Sequence, residues 1–246
     1  MIYYFSGTGN TRHVALLLSH ATSQPLTRIT PDTVVNTPSP IGILFPVYAW
    51  GMPTIISSFI ERNRQALATT SYLYVVMTCG DDIGYADHTL TRLLSRKPDA
   101  IFSLPMPNTY VCLPGFDIDS PSVAQHKVDT TRQTIPHIAQ TITARQQTTE
   151  VVRGAAPWLK TYILRPLFNR FLVTDRYFHT TLSCTLCNRC AASCPTHNIR
   201  VTDHVSWQHA NCIGCLRCYH QCPNRAIEFG RFTRGKGQKI PLRDPQ

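Results

Sequence analysis

The pattern C-x-x-C-x-x-C-x-x-x-C-P occurs twice in this chain and uses eight of its ten cysteines. The first copy is Cys184, Cys187, Cys190, Cys194 and Pro195; the second is Cys212, Cys215, Cys218, Cys222 and Pro223. Each member of the second copy stands 28 residues after its counterpart, and Ile199 and Val201 recur at the same offset as Ile227 and Phe229. The segment is therefore an internal repeat. Thiols spaced three residues apart, twice over, force the backbone to wrap around whatever they bind.

Cysteines at i, i+3 and i+6 suit one face of an iron–sulfur cubane. The spacing resembles that of the bacterial ferredoxins with two 4Fe–4S clusters, in which the fourth cysteine of each run ligates the other cluster. The resemblance implies one cluster on Cys184, Cys187, Cys190 and Cys222, and a second on Cys194, Cys212, Cys215 and Cys218. Zinc needs only four ligands in a tetrahedron and leaves the third and fourth cysteines of each run unexplained. Disulfides need an oxidising compartment, whereas the opening MIYYFSGTGN has neither a basic region nor an apolar run of signal-peptide length. A reducing cytoplasm is expected. Cys79 and Cys112 stand outside the repeat and read as small buried hydrophobes.

The charge is divided unevenly. Residues 1–150 hold ten Lys/Arg and ten Asp/Glu, whereas residues 151–246 hold fourteen and four, so the net charge of +10 lies in the half with the repeat. Two oxidised clusters with their thiolates would subtract about four charges, since a site's own charge enters the sum. Arg189, Arg200, Arg217 and Arg225, within or beside the repeats, are expected to offset part of that. The tail cations Arg231, Arg234, Lys236, Lys239 and Arg243 are not explained this way; a solvated end or a dock for an acidic partner are the two readings. No nucleic-acid recognition motif accompanies them, so no nucleic-acid partner is expected.

The first half alternates strand and helix. Strands are expected over residues 1–5, 26–29, 41–47, 72–78 and 100–104. Helices are marked by Val14, Leu17, Leu18 and Ala21, by Ile55, Ile56, Phe59 and Ile60, by Leu90, Leu93 and Leu94, and by Val128, Ile135, Ile138 and Ile142, with Pro136 expected to kink or interrupt the last. Five strands in this rhythm make an α/β fold, a doubly wound parallel sheet whose ligand sits beyond the carboxyl ends of the strands. The loop Ser6-Gly7-Thr8-Gly9-Asn10-Thr11 joins the first strand to a helix N-terminus, where glycine backbone, hydroxyls and unpaired N–H groups suit a phosphate. It is neither a Walker loop nor a dinucleotide fingerprint, because no Gly-Lys-Ser/Thr follows and Arg12 occupies the place of a third glycine. Two further loops fall at the same edge: Pro46-Val47-Tyr48-Ala49-Trp50-Gly51-Met52-Pro53 and Thr78-Cys79-Gly80-Asp81-Asp82-Ile83-Gly84-Tyr85. They are expected to bracket a planar ring. Asp81 and Asp82 read as solvated loop carboxylates more readily than as proton donors, and no catalytic acid, base or nucleophile is assigned.

A strand followed by Ser-Gly-Thr-Gly-Asn-Thr and these two loops resembles flavodoxin over residues 1–150, which implies FMN. The FMN-binding residues would be Ser6, Thr8, Gly9, Asn10, Thr11, Pro46, Val47, Tyr48, Ala49, Trp50, Gly51, Thr78, Cys79, Gly80 and Asp81. With the cysteine repeat, and with the run Asp175-Arg176-Tyr177-Phe178-His179 ahead of it, the whole chain resembles the fused flavodoxin-like and two-cluster ferredoxin proteins of anaerobic bacteria and archaea. The implied organisation is a flavodoxin-like domain (1–150), an amphipathic connector (151–180), a small α+β ferredoxin domain (181–230) and a basic tail (231–246). The implied function is electron transfer between FMN and two 4Fe–4S clusters, linking one-electron and two-electron redox partners such as an acidic ferredoxin or flavodoxin. The alternatives are a flavoenzyme reducing a small acceptor such as a quinone, with residues 105–118 walling the pocket through Asn108, Tyr110, Pro114 and Phe116, and a redox sensor. The connector carries Trp158, Tyr162, Ile163, Leu164, Leu167, Phe168, Phe171 and Leu172 among Lys160, Arg165 and Arg170. Pro166 is expected to break it in two, and it is expected to pack the small domain onto the large one; membrane contact is not expected.

Overall fold

The computed structural model describes residues 1–36, 40–239 and 241–242. Arg243 of the tail lies outside the described residues. The first unit is a sheet of six parallel strands: β1 (Ile2–Tyr4), β2 (Leu26–Arg28), β3 (Ile41–Pro46), β4 (Leu73–Cys79), β5 (Ala100–Pro105) and β6 (Thr148–Glu150), in the order β2-β1-β3-β4-β5-β6. The order 2-1-3-4-5 is the flavodoxin-like doubly wound one, with its switch point between β1 and β3. The central strands β3, β4 and β5 are buried along almost their whole length, which is why they read as unbroken apolar runs. The sixth strand is a three-residue edge of Thr-Thr-Glu, too polar and too short to register as a strand in the sequence.

Helices cover both faces. On one lie α2 (Thr54–Arg62), α3 (Arg64–Thr69) and α4 (Ala86–Leu94), burying Ile56, Phe59, Ile60 and Leu90 against Phe5, Phe45 and Met77. On the other, α1 (Asn10–Thr22) and α5 (Pro121–Thr143) bury Val14, Leu18, Ile135 and Ile138 against Leu44, Tyr74 and Phe102. Pro136 does not interrupt α5. It sits exposed, as does Arg132, so the carbonyl that loses a partner faces water.

The connector is one helical run, α6 (Pro157–Leu159), a wide π-turn over Lys160–Leu164, and α7 (Arg165–Phe171). Pro166 does not divide it, because the wide turn just before it carries the hydrogen-bond register past the missing N–H. The small unit follows: β7 (Phe178–Thr180) pairs antiparallel with β10 (Ile227–Phe229), and β8 (Ile199–Val201) with β9 (Val205–Trp207). Its helices α8 (Arg189–Ser193) and α9 (Arg217–Gln221) keep the 28-residue offset of the repeat. The two units share packing. Val111 and Cys112, from the loop after β5, belong to the same core as Phe178, Trp207, Tyr219 and Phe229. Among the described residues, no helix is long and apolar enough to cross a membrane.

Candidate redox-cofactor site

The first three βα loops of the central strands meet beyond their carboxyl ends around a cavity of about 440 Å³, within the range of cofactor pockets. Every residue expected from the sequence lines it except Gly9 and Gly51. Gly9 shapes the loop instead: its φ of +106° carries the chain into α1, and its N–H donates to Ser6 Oγ at 3.1 Å. Gly51 lies behind the aromatic loop, where a Cβ would collide with the guanidinium of Arg165. Thr11 is buried and its hydroxyl bonds that of Thr78 at 2.7 Å, which ties the first loop to the third. Thr8 faces Thr109 at 3.4 Å, and Asn10 Nδ2 donates to the Pro107 carbonyl at 2.8 Å.

The aromatic loop closes on itself. Tyr48 and Gly51 exchange backbone bonds of 2.8 and 3.2 Å, with Ala49 and Trp50 between them at φ of +44° and +58°. A bulky residue such as Trp50 in that region is strained, and such strain concentrates at functional loops. The connector holds it: Arg165 donates to the carbonyls of Tyr48 and Met52 at 3.0 and 2.9 Å. Lys160 pairs with Asp82 at 2.6 Å and Lys127 with Asp81 at 3.1 Å. Asp81 remains solvated, 86% exposed, as read in the sequence, whereas Asp82 is largely covered in its ion pair. Burial, with Asp82 and Asp81 nearby, pushes the Cys79 thiol up to about 12.

Beyond the three loops, the 105–118 segment contributes Asn108, Tyr110 and Phe116 as expected, and Thr109 as well, whereas Pro114 turns away. The connector and the small unit were not anticipated as wall: the connector supplies Phe168 and Leu172; the small unit supplies Ile213, Gly214, Cys215 and Leu216. Asn10 Oδ1 and Tyr110 Oη are buried with no protein partner. Both residues line the cavity, so an acceptor and a hydroxyl remain for the ring or ribityl chain of a bound flavin. A phosphate fits at the N-terminus of α1, whose first N–H groups have no intrahelical partner.

Two cations behind the phosphate loop carry no signal in the sequence near it. Arg217, on α9, donates Nε to the Gly7 carbonyl at 2.7 Å and Nη2 to the Ser6 carbonyl, and Nη1 to Ser193 O at 3.2 Å. Lys239 donates Nζ to the Thr8 carbonyl at 3.0 Å, and burial lowers its ammonium to about 8. Gly7 permits this approach, since a Cβ there would lie 3.1 Å from the Cys215 carbonyl and still closer to Tyr48 Oη. Lys236 donates to the carbonyls of Val111 and Leu113, at 2.7 and 2.5 Å. Both tail lysines therefore fasten the small unit to the large one, and only Arg231 and Arg234 of the described tail cations are exposed. His220 reinforces the seam, with Nε2 on the Thr109 carbonyl at 2.7 Å and Nδ1 accepting from Lys239 N at 3.1 Å.

The eight repeat cysteines surround two smaller cavities. Cys184, Cys187, Cys190 and Cys222 line one; Cys194, Cys212, Cys215 and Cys218 line the other. These are the crossed sets, each taking its fourth thiol from the opposite repeat. Ala226 N donates to Cys222 Sγ at 3.2 Å and Asn198 N to Cys194 Sγ at 3.3 Å, equivalent bonds four residues on in each copy. Thiolates of 4Fe–4S clusters accept such bonds, so the donor sets fit two cubanes. Among the described residues, no three His, Cys, Asp or Glu side chains are arranged to hold a single metal ion. Ile213, Cys215 and Leu216 line both the second thiol cavity and the large cavity, whereas the first thiol cavity shares no residue with the large one. Asp175 braces the repeat, accepting from Asn198 Nδ2 at 2.6 Å and His209 N at 3.0 Å.

A family model described as a 4Fe-4S dicluster domain matches residues 176–223. A search of curated proteins found no significant match. Among solved structures, the chain is similar to a putative flavoprotein from Bacteroides eggerthii at 19% identity, over 42% of this chain and 86% of that one, with a TM-score of 0.35. A putative flavoprotein from Bacteroides uniformis aligns at 18% identity over 52% and 96%, TM-score 0.36. The rubredoxin oxygen:oxidoreductase of Desulfovibrio gigas aligns at 11% over 58% and 36%, TM-score 0.31. The fold assignment rests on the strand order, and the iron–sulfur assignment on the family match.

Proposed function

We propose that this chain is an electron-transfer iron–sulfur flavoprotein, holding FMN in the large cavity and one 4Fe–4S cluster in each thiol cavity. FMN exchanges one or two electrons and each cluster exchanges one; the chemistry is theirs, while the protein supplies geometry and electrostatics. The observation that carries the reading is the stretch from Ile213 to Leu216, which is wall to the large cavity and to the second thiol cavity at once. Arg217 and Lys239 hold the phosphate loop against that stretch, so the spacing between the cavities is a property of the folded chain. One-electron carriers and two-electron partners would thereby be linked. Eight thiolate ligands call for a reducing compartment such as the cytoplasm, and the one-electron partner is acidic, to match the excess cations of this half.

A second reading has support of its own. Tyr110, Leu113, Phe116 and Phe168 give the large cavity an apolar wall beyond the three loops, which suits a small aromatic acceptor such as a quinone. One experiment separates the two. Protein photoreduced without oxygen is mixed with candidate acceptors, and flavin absorption is followed. Fast reoxidation by an acidic ferredoxin or flavodoxin, with slow reoxidation by quinones, supports the first reading; the reverse order supports the second.

A further inference from the structure

The connector helix turns its polar side inward. Lys160 is bound to Asp82, Thr161 Oγ1 accepts from Tyr85 N at 2.8 Å, and Arg165 is spent on two loop carbonyls. Trp158, Leu159, Ile163, Leu164, Leu167 and Phe171 face outward, with Trp158 58% and Phe171 61% exposed. Packing between the domains accounts for the inward side, with Phe168 and Leu172 beside it, and leaves the outward stripe uncovered. A stripe of six large apolar side chains on one short helix is far more than the scattered exposure of an ordinary surface, and such patches mark interaction sites.

We infer that this stripe docks on an anionic lipid bilayer, with the helix lying in the headgroup plane. Charge selects that occupant. Residues 151–174 contain no Asp or Glu, and Arg170 and Arg176 are exposed at the end of the stripe. Arg170 lies 5.8 Å from the centre of the Phe171 ring. Apolar and aromatic side chains edged by arginine suit the boundary between headgroups and acyl chains. A second copy of the chain would bring the same cations face to face, as a two-fold interface requires, and their repulsion opposes it. Phe168 and Leu172 of the same run line the large cavity, so docking sets that cavity beside the bilayer.

Vesicle flotation of the protein as isolated tests this. It should float with vesicles containing phosphatidylglycerol, less as salt rises, and weakly with phosphatidylcholine alone. The double variant Leu167→Glu/Phe171→Glu should cut the bound fraction roughly tenfold or more with the absorption spectrum unchanged, since both side chains are exposed. Light scattering without lipid is the second measurement. Failure of the native protein to float with any vesicle would overturn the inference, and equal binding to neutral and anionic vesicles would overturn its choice of surface. A lipid-free dimer that the double variant dissociates would assign the stripe to a second copy instead.

Discussion

The Arg217 guanidinium and the Gly7 carbonyl, 210 positions apart, are joined by a bond of 2.7 Å. Through it the small domain grips the phosphate loop from behind. A second guanidinium nitrogen takes the Ser6 carbonyl, so both carbonyls are satisfied by a buried cation.

Arg217→Met should therefore loosen the loop. Hydrogen bonds from a charged donor are worth about 1.5–3 kcal/mol each, and their loss strands buried carbonyls. FMN affinity, read by fluorescence quenching on titration into flavin-free protein, should fall about tenfold to a hundredfold. Arg217→Lys should recover little, because an ammonium cannot reproduce the two-pronged geometry. Wild-type affinity in Arg217→Met would show that the loop holds its shape unaided.

The thiols outside the repeat make a pH prediction. Burial pushes Cys79 and Cys112 up to about 12 from an ordinary value of 9.0. The native fold then keeps protons that the unfolded chain releases above pH 9, so the stability these groups contribute falls between pH 9 and 12. At pH 9 both should stay thiols and resist iodoacetamide, because the thiolate is the reactive form. Mass spectrometry of the native protein should find neither alkylated; substantial labelling of Cys79 at pH 9 would mean its site is wetter than the packing implies.

The crossed thiol sets can be separated genetically. Cys222→Ala should damage the site of Cys184, Cys187 and Cys190, and Cys194→Ala that of Cys212, Cys215 and Cys218, as read by electron paramagnetic resonance of the reduced protein. Because only the second cavity adjoins the flavin cavity, Cys194→Ala should perturb the flavin signal more. The opposite pairing would refute the crossed arrangement.

An acidic one-electron partner should be steered by charge, with a rate that falls steeply as salt rises. The structure narrows which cations to test. Lys236 is committed to Val111 and Leu113, so replacing it would unfasten the domains and confuse the result. Arg231→Gln/Arg234→Gln leaves that seam alone and should flatten the salt dependence of reduction by an acidic ferredoxin. A rate indifferent to salt and to both substitutions would make these arginines ordinary solvated residues.

Legibility followed locality. The cysteine repeat was readable because it recurs at fixed short spacing, its crossed pairing being implied only by the ferredoxin resemblance, and the strands β3, β4 and β5 because burial on both faces makes them continuously apolar. The phosphate loop was readable as a Gly/Ser/Thr turn between strand and helix. Arg217, Lys236 and Lys239 were not, since their partners are main-chain carbonyls up to 231 positions away, and a carbonyl leaves no trace in side-chain identity. The tail therefore read as surplus charge when two of its lysines are fasteners. The connector was only partly legible: its period shows amphipathicity, but not that Lys160, Thr161 and Arg165 join Phe168 and Leu172 on the inner side while a second apolar stripe faces out.

The central claim is that one chain carries a flavin and two cubanes in three neighbouring cavities. The direct measurement is the cofactor content of protein prepared without oxygen: flavin released on denaturation and identified by chromatography, with iron and sulfide assayed on the same sample. The account predicts FMN, about one per chain, with about eight iron and eight sulfide, the content of two cubanes. FAD or no flavin, zinc in place of iron, or only about four iron after anaerobic reconstitution would contradict it.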